Sequence, residues 1–162
     1  MMAKEKRKSP RIPGYDYSTN GAYFITICTK ERKPLFGNVG ADSISARMVE
    51  RTFLETIQKY SAVKVPIYTV MPNHFHAIIV IDRVDMESAP TISQIIRDFK
   101  RYSTLEYIKM VKSGILPPFR GKIWQRSFHD HVIRNEAGYL KIWEYIENNP
   151  KQWELDCFYV KQ

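Results

Sequence analysis

An α+β fold of the ferredoxin-like (RRM-like) kind is predicted, with an antiparallel sheet, helices packed on one face and a further C-terminal helix. Three observations predict it. Strand-like and helix-like patterns follow one another as β-α-β-β-α-β-α, and the first six elements match a split βαβ arrangement. Two strand-like runs, on either side of Met71–Asn73, are joined by a turn short enough for a hairpin. Residues Thr91–Lys112 carry apolar side chains at helical spacing along their whole length.

Each element has its own reason. AYFITICT (Ala22–Thr29) is rich in β-branched and aromatic residues and reads as a strand. The polar stretch that follows breaks it. A helix is expected over Ser43–Tyr60, with Met48, Phe53 and Ile57 among its buried residues. AVKVPIYTVMP forms a second strand ending at Pro72, and HFHAIIVID a third. The long helix begins with Thr91 and Gln94, a capping-box pair. It is expected to bury Ile92, Ile95, Phe99, Tyr102 and Ile108. After the loop GILPPFRGK, the run Ile123–Ile133 reads as a fourth strand. The last helix opens at Asn135, an N-cap type, and stops at Pro150.

The chain has 162 residues, the size of one ordinary domain. We divide it into a basic arm, residues 1–15 with Lys4, Lys6, Arg7, Lys8 and Arg11, and a single domain over residues 16–162. Lys and Arg outnumber Asp and Glu by 25 to 17, and the resulting +8 charge favours a polyanionic partner. Two cysteines without metal or redox spacing fit a reducing compartment. No apolar run approaches the ~20 residues of a membrane span, and the N-terminus lacks the apolar stretch of a signal peptide. A cytoplasmic protein with no membrane partner is the expectation.

The chemistry-bearing segment is VMPNHFHAIIVI, Val70–Ile81. On a strand, alternate side chains share a face, so His74 and His76 lie side by side with Ile78 and Val80 beyond them. Phe75, Ala77, Ile79 and Ile81 cover the other face, so the strand is central. Two imidazoles at the polar end of an apolar strand suit one shared metal ion. In YLKIWEYIENNP, Tyr145 and Asn149 are four apart and share a helical face. From spacing alone, ordinary helix packing is the better reading of Tyr145. A hydroxyl with a pKa of about 10 attacks phosphorus poorly without a metal or base. The amide oxygen of Asn149 is the candidate third ligand.

Four segments, YDYSTNGAYFITICTKERKPLFG, VMPNHFHAIIVI, IWQRSFHDHVIRNE and YIENNPKQWELD, occur in this order between about Tyr15 and Asp156. With them the chain resembles the REP-associated tyrosine transposases, relatives of the single-tyrosine HUH transposases of small bacterial insertion sequences. The resemblance implies a metal-dependent enzyme that cleaves and rejoins single-stranded or hairpin DNA through a 5′-phosphotyrosine, with Mg²⁺ or Mn²⁺, as a homodimer. By the same resemblance Tyr145 is the nucleophile, and His74, His76 and Asn149 hold the metal. One position departs: in SFHDH, His129 stands where relatives often have an aromatic, so His129 and His131 make a second H-x-H pair. Asp130 and His131 are candidates for orienting the metal site or the DNA.

The stretch Arg97–Arg126 carries eight basic and two acidic residues. Arg97, Lys100, Arg101, Arg126 and Arg134 are the expected DNA contacts. Tyr102, Phe119 and Trp124 are interleaved with them, as base-stacking or core residues. Two other readings remain open at this point: a DNA-binding regulator with a decayed site, and a zinc-dependent hydrolase built on both H-x-H pairs.

Overall fold

A computed structural model describes residues 21–39, 43–82 and 89–161. The proposed arm of residues 1–15 lies outside the described residues. Four strands form one antiparallel sheet in the order β2-β3-β1-β4. They are β1 (Ala22–Cys28), β2 (Val63–Met71), β3 (His74–Ile81) and β4 (His129–Ile133). Helices α1 (Ile44–Gln58), α2 (Ile92–Lys112) and α3 (Glu136–Asn148) complete the fold. Both the order of elements and the order of strands are those of the predicted ferredoxin-like sheet.

The alternation in β3 decides the two faces. Phe75, Ala77, Ile79 and Ile81 pack with Phe53 of α1 and Ile95 and Phe99 of α2 in the main core. Ile78 and Val80 turn the other way, into a smaller cluster with Tyr139 and Ile146 of α3. All eight residues of β3 are buried, as expected of a central strand. The helices are therefore divided, α1 and α2 on one face and α3 on the other.

Local signals hold the elements in place. Only Pro72 and Asn73 separate β2 from β3, and Met71 pairs with His74. Pro66 lacks a donor, and it sits where the β2 register shifts between Lys64 and Ile67. β2 is an edge strand, where the missing hydrogen bond costs least. The Thr91–Gln94 capping box is formed with both hydrogen bonds. Asn135 caps α3 through Gly138 N–H at 2.7 Å.

Two expectations need correction. Tyr102 and Ile108 are only partly buried, and α2 instead buries Ile96, Ser103 and Tyr107. Ser103 and Tyr107 turn toward Trp124 and Phe119 of the following loop, and Tyr102 lies under the Lys59 ammonium at the end of α1, 3.4 Å from its ring centre. The fourth strand is also shorter than Ile123–Ile133. Trp124 makes only an isolated bridge to Thr29, and regular pairing starts at His129. Trp124 is drawn off the sheet into the core, against Phe36 and Phe99, with its indole N–H on Ser103.

Candidate active site

His74 and His76 are 0% and 1% exposed, on the α3 side of the sheet at the turn end of β3. Their ring centres are 4.5 Å apart. The Asn73 amide donates to the carbonyls of Arg32 and Phe158, so its oxygen is free only to accept. That oxygen stands 2.9 Å from His74 Nδ1, which therefore carries the proton. His74 Nε2 is left as a lone pair, buried and without a hydrogen-bond partner among the described residues. His76 Nδ1 is held by the Thr26 hydroxyl at 2.9 Å, on the neighbouring strand. Each imidazole thus turns its Nε2 toward α3.

α3 brings the other half. Its apolar residues Tyr139 and Ile146 seat it on the sheet, and the same stripe continues to Asn149, which is 3% exposed. Tyr145, four residues earlier, is 41% exposed. Its hydroxyl lies 3.4 Å from His76 Nε2. Beyond Asn149 the chain turns through a 3₁₀ segment, Asn149–Leu155, and returns over the site.

That return delivers Asp156, which sequence reasoning missed. Its Oδ2 accepts from the Asn149 amide and from the Tyr145 hydroxyl at 3.3 Å, and lies 3.9 Å from His74 Nε2. The only signal was an acidic residue seven positions past Asn149. Periodicity says nothing across the break at Pro150. Phe158 follows, with its ring 4.7 Å from His74 and 6.1 Å from His76. Arg32 stacks on Phe158 at 5.3 Å, and Asn73 binds its carbonyl. This segment covers both histidines.

The atoms that converge suit a cation. His74, His76 and Asp156 each offer a ligand atom, all within 4.8 Å of one another. Asn149 Nδ2 donates to Asp156, and Asn149 Oδ1 is buried without a hydrogen-bond partner among the described residues. Acceptors of this kind, left unsatisfied side by side, are costly unless something positive lies between them. Burial pushes His74 down to about 4 and His76 down to about 3, so both imidazoles are neutral at pH 7, the form that can accept a cation. Burial works to raise the Asp156 carboxyl, but the Phe158 N–H and the Asn149 amide outweigh it and hold Asp156 below its ordinary value. Tyr145 is raised, first by burial and then by the Asp156 charge, so a cation is what would restore its acidity.

Other candidates stand elsewhere. Asp130 pairs with Ile25, a residue of the main core, so it faces the α1–α2 side, away from the histidines. The expectation that it orients the site is corrected by this alternation. His131 faces the site side but lies exposed beyond Phe24 on the sheet edge. β1 lies between β3 and β4, which separates the two H-x-H pairs by about 9–10 Å, too far for one shared zinc ion. Lys100 does not face outward as expected. Its ammonium donates to the carbonyls of Gln125, Arg126 and Ser127 at 2.8, 3.2 and 3.0 Å, so it ties down a loop. Arg97 is paired with its neighbour Asp98 at 3.4 Å. Arg101, Arg126 and Arg134 are exposed.

Comparison with known proteins gives a consistent family. Residues 17–149 match the family described as transposase IS200-like. An uncharacterised protein of Haemophilus influenzae is 33% identical over 175 residues, covering 95% of this chain and 93% of that protein. A second Haemophilus influenzae protein, provisionally named a REP-associated tyrosine transposase, is 26% identical over 89% of this chain and 83% of its own length. Among solved structures, a REP-associated tyrosine transposase bound to a REP hairpin shares the fold. Its TM-score is 0.61 at 21% identity, covering 94% of this chain and 74% of that one.

Proposed function

The chain belongs to the IS200-like transposase family, and from that premise we propose that it cleaves and rejoins DNA strands with Tyr145 as nucleophile. The observation that carries this reading is the Tyr145 hydroxyl, 3.4 Å from His76 Nε2 beside the unsatisfied Nε2 of His74 and Oδ1 of Asn149. The substrate we infer is single-stranded or hairpin DNA, in line with the hairpin held by the structural relative.

His74, His76 and Asn149 would hold the divalent metal, with Asp156 as a further oxygen. When bound, such an ion polarises a nonbridging phosphate oxygen and stabilises charge building on phosphorus. Two oxygens and two imidazoles suit Mg²⁺ or Mn²⁺, the imidazoles tipping the balance toward Mn²⁺. Tyr145 Oη attacks phosphorus as the bond to the 3′ oxygen breaks. The DNA 5′ phosphate is left on Tyr145, and the 3′ oxygen leaves as a hydroxyl. Asp156 Oδ2, already accepting the Tyr145 hydroxyl, is the nearest carboxylate for the phenolic proton. One phosphoester replaces another, so a returning 3′-hydroxyl rejoins the strand with no outside energy. Phe158 covers His74 from one side, and the side of Tyr145, 41% exposed, is the one from which DNA reaches the site with Asp156 in place. Two copies would associate through an exposed sheet edge such as β4.

The test is covalent capture. The protein is mixed with labelled hairpin DNA and Mn²⁺, denatured in detergent and run for a DNA-shifted band. The band should disappear with Tyr145→Phe and with chelator, while Tyr145→Phe unfolds at the wild-type temperature. A band that survives Tyr145→Phe sinks the assignment. Tight DNA binding with no band on any hairpin favours a regulator instead.

A further inference from the structure

The basic residues of α2 and the following loop are sorted by the structure into two groups. Arg97 pairs with Asp98, Lys109 pairs with Glu106, and Lys100 is spent on three loop carbonyls. Arg101, Lys122 and Arg126 are exposed and make no side-chain hydrogen bond or ion pair among the described residues. These three surround one groove of about 380 Å³ between α2 and the Gly121–Arg126 loop. Its floor is apolar, made by Ile123 and Trp124, and Leu105 lines it with 47% of its surface exposed.

A cationic rim over an apolar slot is the chemistry of a nucleotide, with phosphates on the outside and a base within. Three exposed cations around one slot make it locally positive, and an anion seated among them gains from all three. The groove also has a fixed relation to the candidate site. Its loop is stapled to the end of β1, by the Thr29–Trp124 bridge and by Gln125 N–H on the Cys28 carbonyl at 2.9 Å. Cys28 is the cross-strand partner of His74. The groove thus lies at the same end of the sheet as the histidine pair, on the α2 side, and Lys100 ties down the intervening loop.

We propose that this groove is a docking subsite for one unpaired nucleotide of the DNA strand, with its phosphates held by Arg101, Lys122 and Arg126. The inference rests on the DNA-processing reading above. It assigns the groove to the strand flanking a hairpin rather than to the paired stem. A stem is too wide for the slot, and a stacked base cannot enter it.

Fluorescence anisotropy would measure binding of two hairpins, one blunt and one with an unpaired flanking strand, over a range of salt. The triple variant Arg101→Ala, Lys122→Ala, Arg126→Ala should bind the tailed hairpin at least about tenfold more weakly and the blunt hairpin as before. Its salt slope on the tailed DNA should fall by about 2, at about 0.7 per single-strand phosphate contact. Leu105→Asp places a carboxylate in the slot on an exposed helix position, and should give the same selective loss. Equal weakening on both hairpins overturns the subsite, because it makes these residues a general electrostatic surface. Unchanged binding of both variants, with the wild type binding tightly, overturns the subsite alone. No binding of either hairpin by the wild type overturns the DNA-processing reading and the subsite with it.

Discussion

Acidifying the metal-free protein should cost it stability well before its carboxylates protonate. His74 and His76 ionise at about 4 and about 3 in the folded state, from an ordinary value of 6.5, chiefly because both are buried. The unfolded chain therefore binds protons near pH 6.5 that the folded chain refuses. Stability is then present above pH 6.5 and is lost as the pH falls toward the folded values. Each histidine contributes a slope approaching 1.4 kcal/mol per pH unit, so the pair should remove about 3–4 kcal/mol between pH 7 and pH 5. For a domain of this size that is a fall of about 10 °C in Tm. Asp156 does not confuse the window. Its folded value lies below 3.8, so its own contribution disappears only at lower pH. Urea unfolding in chelator at pH 7 and pH 5 measures the loss, and His74→Asn with His76→Asn should flatten most of it. A wild-type midpoint that is flat over this range would refute neutral, buried histidines. So would an imidazole NMR titration of either ring near pH 6.5.

Three further outcomes follow from single contacts. Thr26→Val keeps the shape of the side chain but removes the hydroxyl on His76 Nδ1. It should cost about 1–2 kcal/mol in urea unfolding and weaken Mn²⁺ binding about tenfold by calorimetry, and an unchanged Mn²⁺ affinity would remove Thr26 from the site. Asp156→Asn keeps the volume but removes the charge nearest His74, so Mn²⁺ affinity should fall at least about tenfold. If it does not, Asp156 closes the site without holding metal. Lys100→Met leaves the carbonyls of Gln125, Arg126 and Ser127 without their donor, and should cost about 2–3 kcal/mol with faster amide exchange in residues 123–128. Stability within a few tenths of a kcal/mol of wild type would return Lys100 to the exposed role expected from sequence.

Much of this was legible before any coordinates. The strands and helices, the hairpin, the capping box and the two faces of β3 all follow from short-range rules. A period of two puts His74 with His76, and a period near four puts Tyr145 with Asn149, within one segment each. Those rules end where segments meet. Asp130 and His131 are adjacent, and only the pairing of β4 with β1 sends one toward the core side and the other toward the site. Lys100 looked like an exposed helix cation until a loop 25 residues away presented three carbonyls to it. Thr26 reaches His76 across 50 residues, and Asn73 reaches Phe158 across 85. Such contacts are fixed by which apolar faces bury together and by strand register, which are cooperative properties of the whole chain. The sequence by itself determined the candidate residues His74, His76, Tyr145 and Asn149 and the elements that carry them. The tertiary structure decided that α3 docks on the histidine face, and that the C-terminal segment returns Asp156 to the site, because only packing determines how separate elements meet.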